Sequence, residues 1–138
     1  MKNISNKLIV SFIDYLYLNL GVGFIWGNDF GQFITWLKVY NLPLKFAEID
    51  DSRILGAEAA LWTEVSNEDT LDTYLWIRAS ALAERLWNPS IKQTEVELVQ
   101  RLVSQKERMQ SRGIKVAPVS SSLCESNPGL CFKNQLLS

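Results

Sequence analysis

The chain has 138 residues, with 14 Lys and Arg against 15 Asp and Glu and a formal net charge of −1. That balance gives no electrostatic reason to expect nucleic acid or an anionic membrane as a partner, and 47% hydrophobic with 21% charged residues is a globular composition. With no histidine and only two cysteines, the sequence has no histidine triad, histidine proton shuttle or four-cysteine metal site, and neither a metal nor a cofactor is expected. The length suits one domain or a piece of a larger one.

Lys2 and Lys7 precede an apolar run from Leu8 to Trp26. Asp14 and Asn19 lie inside it, and a charge at mid-membrane costs about 2.5–3.5 kcal/mol on insertion scales. No small-residue cleavage site follows a short apolar core, so the run is neither a membrane helix nor a signal segment. Residues 7–19 read as a buried strand, with Tyr15, Tyr17 and Asn19 on one face and Leu16, Leu18 and Leu20 on the other. Phe33, Trp36, Leu37 and Tyr40 share one helical face, which ends at Asn41-Leu42-Pro43. Ile54 to Val65 suits a second strand.

Thr70 to Trp87 is the clearest helix. Leu71, Leu75, Ala79, Leu82, Ala83, Leu86 and Trp87 form its stripe, Thr70 is placed to cap it, and Asn88-Pro89 stops it. Glu95 to Arg112 is a final amphipathic helix with Leu98, Leu102 and Met109 inward. Thr94 and Glu97 have capping-box spacing, and Gly113 follows as its C-cap. Strand, helix, strand, helix, helix, tail is the order of a parallel α/β architecture. Two strands cannot close a βα barrel, which needs eight and about 250 residues. The chain therefore reads as the last two βα units of a TIM (β/α)8 barrel over residues 1–115, with a final helix and a tail over 116–138.

In that tail Cys124 and Cys131 flank the turn Asn127-Pro128-Gly129. The spacing suits a local disulfide in an oxidising compartment; the alternative is two unpaired thiols. Asn3-Ile4-Ser5 is a lone glycosylation sequon.

Two longer motifs carry a resemblance. Ile54-Leu55-Gly56-Ala57-Glu58-Ala59-Ala60-Leu61-Trp62-Thr63-Glu64 is followed by Leu75-Trp76-Ile77-Arg78-Ala79-Ser80-Ala81-Leu82-Ala83-Glu84-Arg85-Leu86-Trp87. Together they resemble the LGGEAxxWxE and LWPRAxAxAERLW patterns of glycoside hydrolase family 20, the β-N-acetylhexosaminidases. Tyr15-Leu16-Tyr17-Leu18-Asn19 is similar to the family's seventh barrel strand, and Trp36-Leu37-Lys38-Val39-Tyr40 and the cysteine-bearing tail resemble the insect branch. Ala57 and Ile77 depart from a glycine and a proline of the patterns. Asn28-Asp29-Phe30-Gly31 stands where the insect loop has NNWC.

The resemblance implies removal of terminal N-acetylglucosamine or N-acetylgalactosamine by a substrate-assisted route, outside the two-carboxylate scheme. The Asp-Glu pair of the family's HxGGDE segment does not occur in this chain, so the chain has no catalytic residue of its own. It is expected to be inactive alone. By the same resemblance Tyr17 bonds the acetamide oxygen, Trp62 stacks on the sugar, Glu64 accepts from sugar hydroxyls and Asn19 contacts the region of the C4 and C6 hydroxyls. Phe30 is the candidate for the next sugar. Glu58, Arg78, Glu84 and Arg85 read as structural, with Glu58 buried against Arg78 or Arg85 because a buried charge needs a partner. Trp76 and Trp87 read as packing residues. The implied substrate is an amino-sugar glycan. The implied polypeptide partner is the amino-terminal part of the barrel or a second copy, and the implied location is secreted, lysosomal or on the extracellular face of a membrane. A truncated, non-catalytic paralogue that binds a partner is the competing reading.

Overall fold

The structure is a computed structural model that describes residues 6–20, 33–45, 49–135 and 137. Its elements are β1 (Leu8–Val10), α1 (Ile13–Leu16), α2 (Trp36–Tyr40), β2 (Ile54–Ala57), α3 (Leu71–Trp87), α4 (Glu95–Gln110) and α5 (Ser122–Ser126). β1 and β2 pair in parallel, with Leu8 opposite Ile54 and Val10 opposite Ala57, and the pairing resumes at an isolated Tyr17–Ala60 bridge. Parallel strands with helical connections make this an α/β fold.

Both expected strands are interrupted. The first is not continuous over 7–19: Phe12 O accepts from the Tyr15 and Leu16 amides and winds Ile13–Leu16 into a turn of helix before Tyr17 returns to the sheet. The apolar run from Ile54 is a strand only to Ala57 and ends in a 3-10 turn at Thr63–Val65. Of the expected first face, Tyr15 and Tyr17 are half-buried, while Asn19 is buried along with Leu16, Leu18 and Leu20. α2 starts at Trp36, capped by the Thr35 hydroxyl, and leaves Phe33 exposed outside it.

Two cores lie on opposite sides of α2 and α3. Leu16, Leu18, Leu20, Ile34, Val39, Leu42 and Leu82 fill the space toward the sheet, joined by Leu75 and Leu86. Trp36, Tyr40, Ile77, Ala81, Leu98, Val99, Leu102 and Met109 form the second core with Val116 and Val119 of the tail. The α3 stripe is thus narrower than expected toward the sheet, and a second stripe, Ile77 and Ala81, faces α4. Ala83 is exposed, as is Leu71, and Trp87 is 92% exposed, packing on nothing extensive at the helix end.

The α3 cap also differs. Thr70 makes no side-chain cap bond. Instead Asn67 Oδ1 accepts from the Asp69 and Thr70 amides (3.1 and 3.2 Å), and Asn67 O accepts from Leu71 N. A shorter Asx turn reaches those amides better than a residue already in helical conformation. The capping box of α4 matches its sequence: Thr94 Oγ1 accepts from Glu97 N at 3.2 Å, and Glu97 Oε2 accepts from Thr94 N at 2.8 Å. Those Thr94 bonds, backbone first, hold the Glu97 carboxyl below its ordinary pKa. Past the end of α4, Gly113 has φ of 82°, the left-handed conformation a glycine tolerates.

The tail is strapped across α4. Cys124 and Cys131 are disulfide-bonded, with Cα atoms 5.7 Å apart. Lys106 pairs with Glu125, whose other oxygen accepts from Val119 N (2.7 Å) and Ser120 N (3.2 Å). Burial alone would raise the Glu125 pKa. The Lys106 hydrogen bond, the two amides and the Lys106 charge outweigh it and lower the value. The Trp36 indole donates to Val119 O at 2.8 Å, and its ring lies 5.8 Å from Phe132. No helix of the described residues is long and apolar enough to cross a membrane. The sequon falls outside the described residues.

Candidate functional site

The interruption of the first strand aims Tyr17. Ala60 N donates to Leu16 O at 2.9 Å and Leu18 N to Ala60 O at 2.7 Å, which fixes Tyr17 beside Ala60. Trp62 follows two residues later, and its ring centroid lies 6.2 Å from that of Tyr17 with the planes at 54°. Tyr17 is half-buried and Trp62 is 52% exposed. The pair forms an aromatic corner beyond the carboxyl ends of β1 and β2.

Asn19 is buried two residues after Tyr17, and its Oδ1 has no hydrogen-bond partner among the described residues. Glu64 is exposed on the Thr63–Val65 turn and makes no hydrogen bond or ion pair among the described residues. Phe30 lies outside the described residues. The structure therefore brings Tyr17 and Trp62 together, sets Asn19 along the same segment as Tyr17, and leaves Glu64 on the adjoining turn.

Glu58 differs from expectation. It is exposed, with its amide on Val10 O (3.0 Å), and it pairs with neither arginine. Both arginines have turned to carbonyls on their own side of the fold. Arg78, on α3, is buried; its guanidinium donates to Tyr74 O and to Ile34 O (3.3 Å) and lies 4.9 Å from the Phe33 ring centroid. Burial lowers its pKa to about 10. Arg85 Nη1 donates to Pro89 O (3.1 Å), and the guanidinium lies 5.9 Å from the Tyr40 ring centroid.

One polar cluster escaped the sequence. Gln93 Nε2 donates to Tyr40 Oη and to Glu84 Oε1 (3.3 Å), and Glu84 in turn pairs with Arg101 at 2.8 Å. Burial, then the Glu84 charge, raises the Tyr40 pKa. Gln93 sits in the polar stretch between α3 and α4, so no periodicity flagged it. Among the described residues no three His, Cys, Asp or Glu side chains gather into a cation site.

A groove of about 800 Å3 runs past the amino end of β2, between Leu44, Ile54 and Leu55 on one side and Arg85, Leu86 and Ile91 on the other. None of Tyr17, Asn19, Trp62 and Glu64 lines it.

Parallel strands with helical connections and an aromatic pair past their carboxyl ends form an α/β architecture, the class of fold that places its sites at that end. The chain belongs to glycosyl hydrolase family 20, since residues 1–90 match the model of that family's catalytic domain. It is 40% identical over 132 residues to the chitooligosaccharidolytic β-N-acetylglucosaminidase of Ostrinia furnacalis, covering 91% of this chain and 22% of that protein. To the β-hexosaminidase subunit beta of Mus musculus it is 37% identical over 99 residues, 70% of this chain and 18% of that one. The structure is similar to that of the family 20 β-N-acetylhexosaminidase of Streptomyces coelicolor, with a TM-score of 0.69 and 25% identity over 84% of this chain and 24% of that one. The chain spans about a fifth of the length of the curated relatives it matches.

Proposed function

We propose that this chain supplies one wall of an amino-sugar pocket in a β-N-acetylhexosaminidase, as the last two βα units of its TIM barrel with the tail of residues 116–138. The observation that carries the reading is the Tyr17–Trp62 corner, held by the Ala60 bridge past the carboxyl ends of two parallel strands. In this reading the Tyr17 hydroxyl donates to the acetamide oxygen and holds it for attack on the anomeric carbon. The Trp62 face covers the apolar side of the sugar. Glu64 accepts from the C4 hydroxyl, and Asn19 reaches the C4 and C6 hydroxyl region. Glu58, Arg78, Glu84 and Arg85 serve the fold. The acid that protonates the leaving oxygen and the carboxylate that stabilises the cyclising acetamide come from polypeptide outside this sequence, which has no Asp-Glu step. The disulfide supports a secreted, lysosomal or extracellular-facing location.

The test is release of nitrophenol from its N-acetylglucosaminide. The chain alone is expected to give none. Co-expressed with the portion of the Ostrinia furnacalis relative that precedes the matched segment, it is expected to give turnover, reduced about 10²–10³-fold by Tyr17→Phe. Turnover by the chain alone, or co-expressed turnover indifferent to Tyr17→Phe and Trp62→Ala, would overturn the reading.

A further inference from the structure

Glu64 is exposed and makes no hydrogen bond or ion pair among the described residues, so its carboxylate takes its position from its backbone. That backbone hangs between two anchors. Upstream, Ala60 is bonded through its amide to Leu16 O (2.9 Å) and through its carbonyl to Leu18 N (2.7 Å). In the middle the turn is held to itself by two long bonds of 3.5 Å, Ser66 N to Thr63 O and Ser66 Oγ to Trp62 O. Downstream stands Asn67. Its Oδ1 accepts from the Thr70 hydroxyl (3.0 Å) and from the Asp69 and Thr70 amides (3.1 and 3.2 Å). Its amide donates to Thr70 Oγ1 (3.1 Å), and its carbonyl accepts from Leu71 N (2.9 Å). One residue thus joins the turn that carries Glu64 to the first residues of α3. The start of α3 is held in turn from the tail: the Thr73 hydroxyl donates to Lys115 O at 3.4 Å, and Lys115 Nζ lies 4.0 Å from Asp69.

We propose that Asn67 is a positioning residue that sets specificity: by tying the turn to α3 it fixes the Glu64 carboxylate against one orientation of the sugar's C4 hydroxyl. N-acetylglucosamine and N-acetylgalactosamine differ only in that orientation, equatorial in the first and axial in the second. An acceptor fixed in place favours one epimer, because the other leaves hydroxyl and carboxylate mispaired. An acceptor free to swing follows both. Asn67 commits its Oδ1 to its own turn and acts on the sugar only through Glu64. The inference deepens the function proposed above and rests on its assignment of Glu64 to the C4 hydroxyl.

The experiment reads the ratio of kcat/KM for the nitrophenyl glycosides of the two amino sugars, with the chain co-expressed as above. A variant that merely folds less well lowers both values alike and leaves the ratio unchanged. The wild-type ratio is expected to differ from one by about tenfold, and Asn67→Ala to bring it within about threefold of one. Asn67→Asp keeps the acceptor and suits a helix N-terminus, so it should keep the wild-type ratio. A wild-type ratio near one, or an Asn67→Ala ratio equal to the wild-type one, would overturn the inference. Glu64→Gln separates the two readings. A ratio indifferent to Glu64→Gln removes the C4 assignment and the inference with it, whereas a ratio moved by Glu64→Gln and not by Asn67→Ala sinks the inference alone. Where co-expression gives no turnover, hydrogen exchange on the full chain decides. Residues 61–66 should exchange about tenfold faster in Asn67→Ala and at the wild-type rate in Asn67→Asp. Unchanged exchange there in Asn67→Ala would show that Asn67 does not hold the turn, and the inference would fall.

Discussion

The sheet side and the tail side of α3 solve the same problem in opposite ways. Toward the tail every element closes on another: a capping box starts α4, a disulfide and the Lys106–Glu125 pair hold the strap, and the Trp36 indole is bonded to Val119. Toward the sheet, two strands of three and four residues pair only with each other among the described residues, and Ile9 is 62% exposed. Parallel sheets are stable when both faces and edges are covered. The difference teaches that the helical layer is closed on itself, whereas the sheet, which carries the Tyr17–Trp62 corner, leaves apolar side chains such as Ile9 and Leu55 exposed.

Mutations can break or sharpen that contrast. Leu98→Ala should cost the most, about 2–5 kcal/mol by urea denaturation, because Leu98 is fully buried in the tail-side core. A loss below 1 kcal/mol, roughly the cost of an ordinary surface change, would mean that this core is no firmer than the sheet. Replacing both cysteines by serine should cost about 2–3 kcal/mol from the chain entropy of so short a loop, seen as a lower midpoint that reductant reproduces in the wild-type chain.

Acid should loosen the strap next. The Glu125 carboxyl has a lower pKa folded than unfolded, so its contribution is complete above the unfolded value of about 4.3 and fades as pH falls through the folded one. Trp36 fluorescence should therefore stay constant down to mildly acid pH and change below it, and Glu125→Gln should flatten that change. Thr94→Ala should cost about 1 kcal/mol through the lost capping box. Leu55→Ser should move the midpoint least, within about 0.5 kcal/mol, since that side chain touches little of this chain. A large loss there would show the sheet edge already covered.

The sequence disclosed elements in proportion to how local their causes are. Thr94 with Glu97, Gly113 and the paired cysteines act within a few residues, and each stands where spacing put it. The parallel pairing followed from element order. What spacing could not carry was the break at Phe12, because an alternating apolar run looks the same whether or not a carbonyl winds it into a turn. The second stripe of α3 was hidden likewise, since a helix covered on two sides has no single periodic face, and Ile77 and Ala81 were read past. At the site, Tyr17 and Trp62 stood out through the family motifs. Burial of Asn19 and exposure of Glu58 did not, being set by how the chain turns after Phe12 and after Ala57 and not by side-chain alternation.

The bond from Trp36 to Val119 spans 83 residues. A chain made at about 5–20 residues per second needs roughly 4–17 s between those two positions. During that interval the indole of a nascent chain has no carbonyl to meet and no strap over it. The face of α2 that carries Trp36 thus waits for a cover made 83 residues later, and a chaperone that holds this protein during synthesis would find a handle at Trp36.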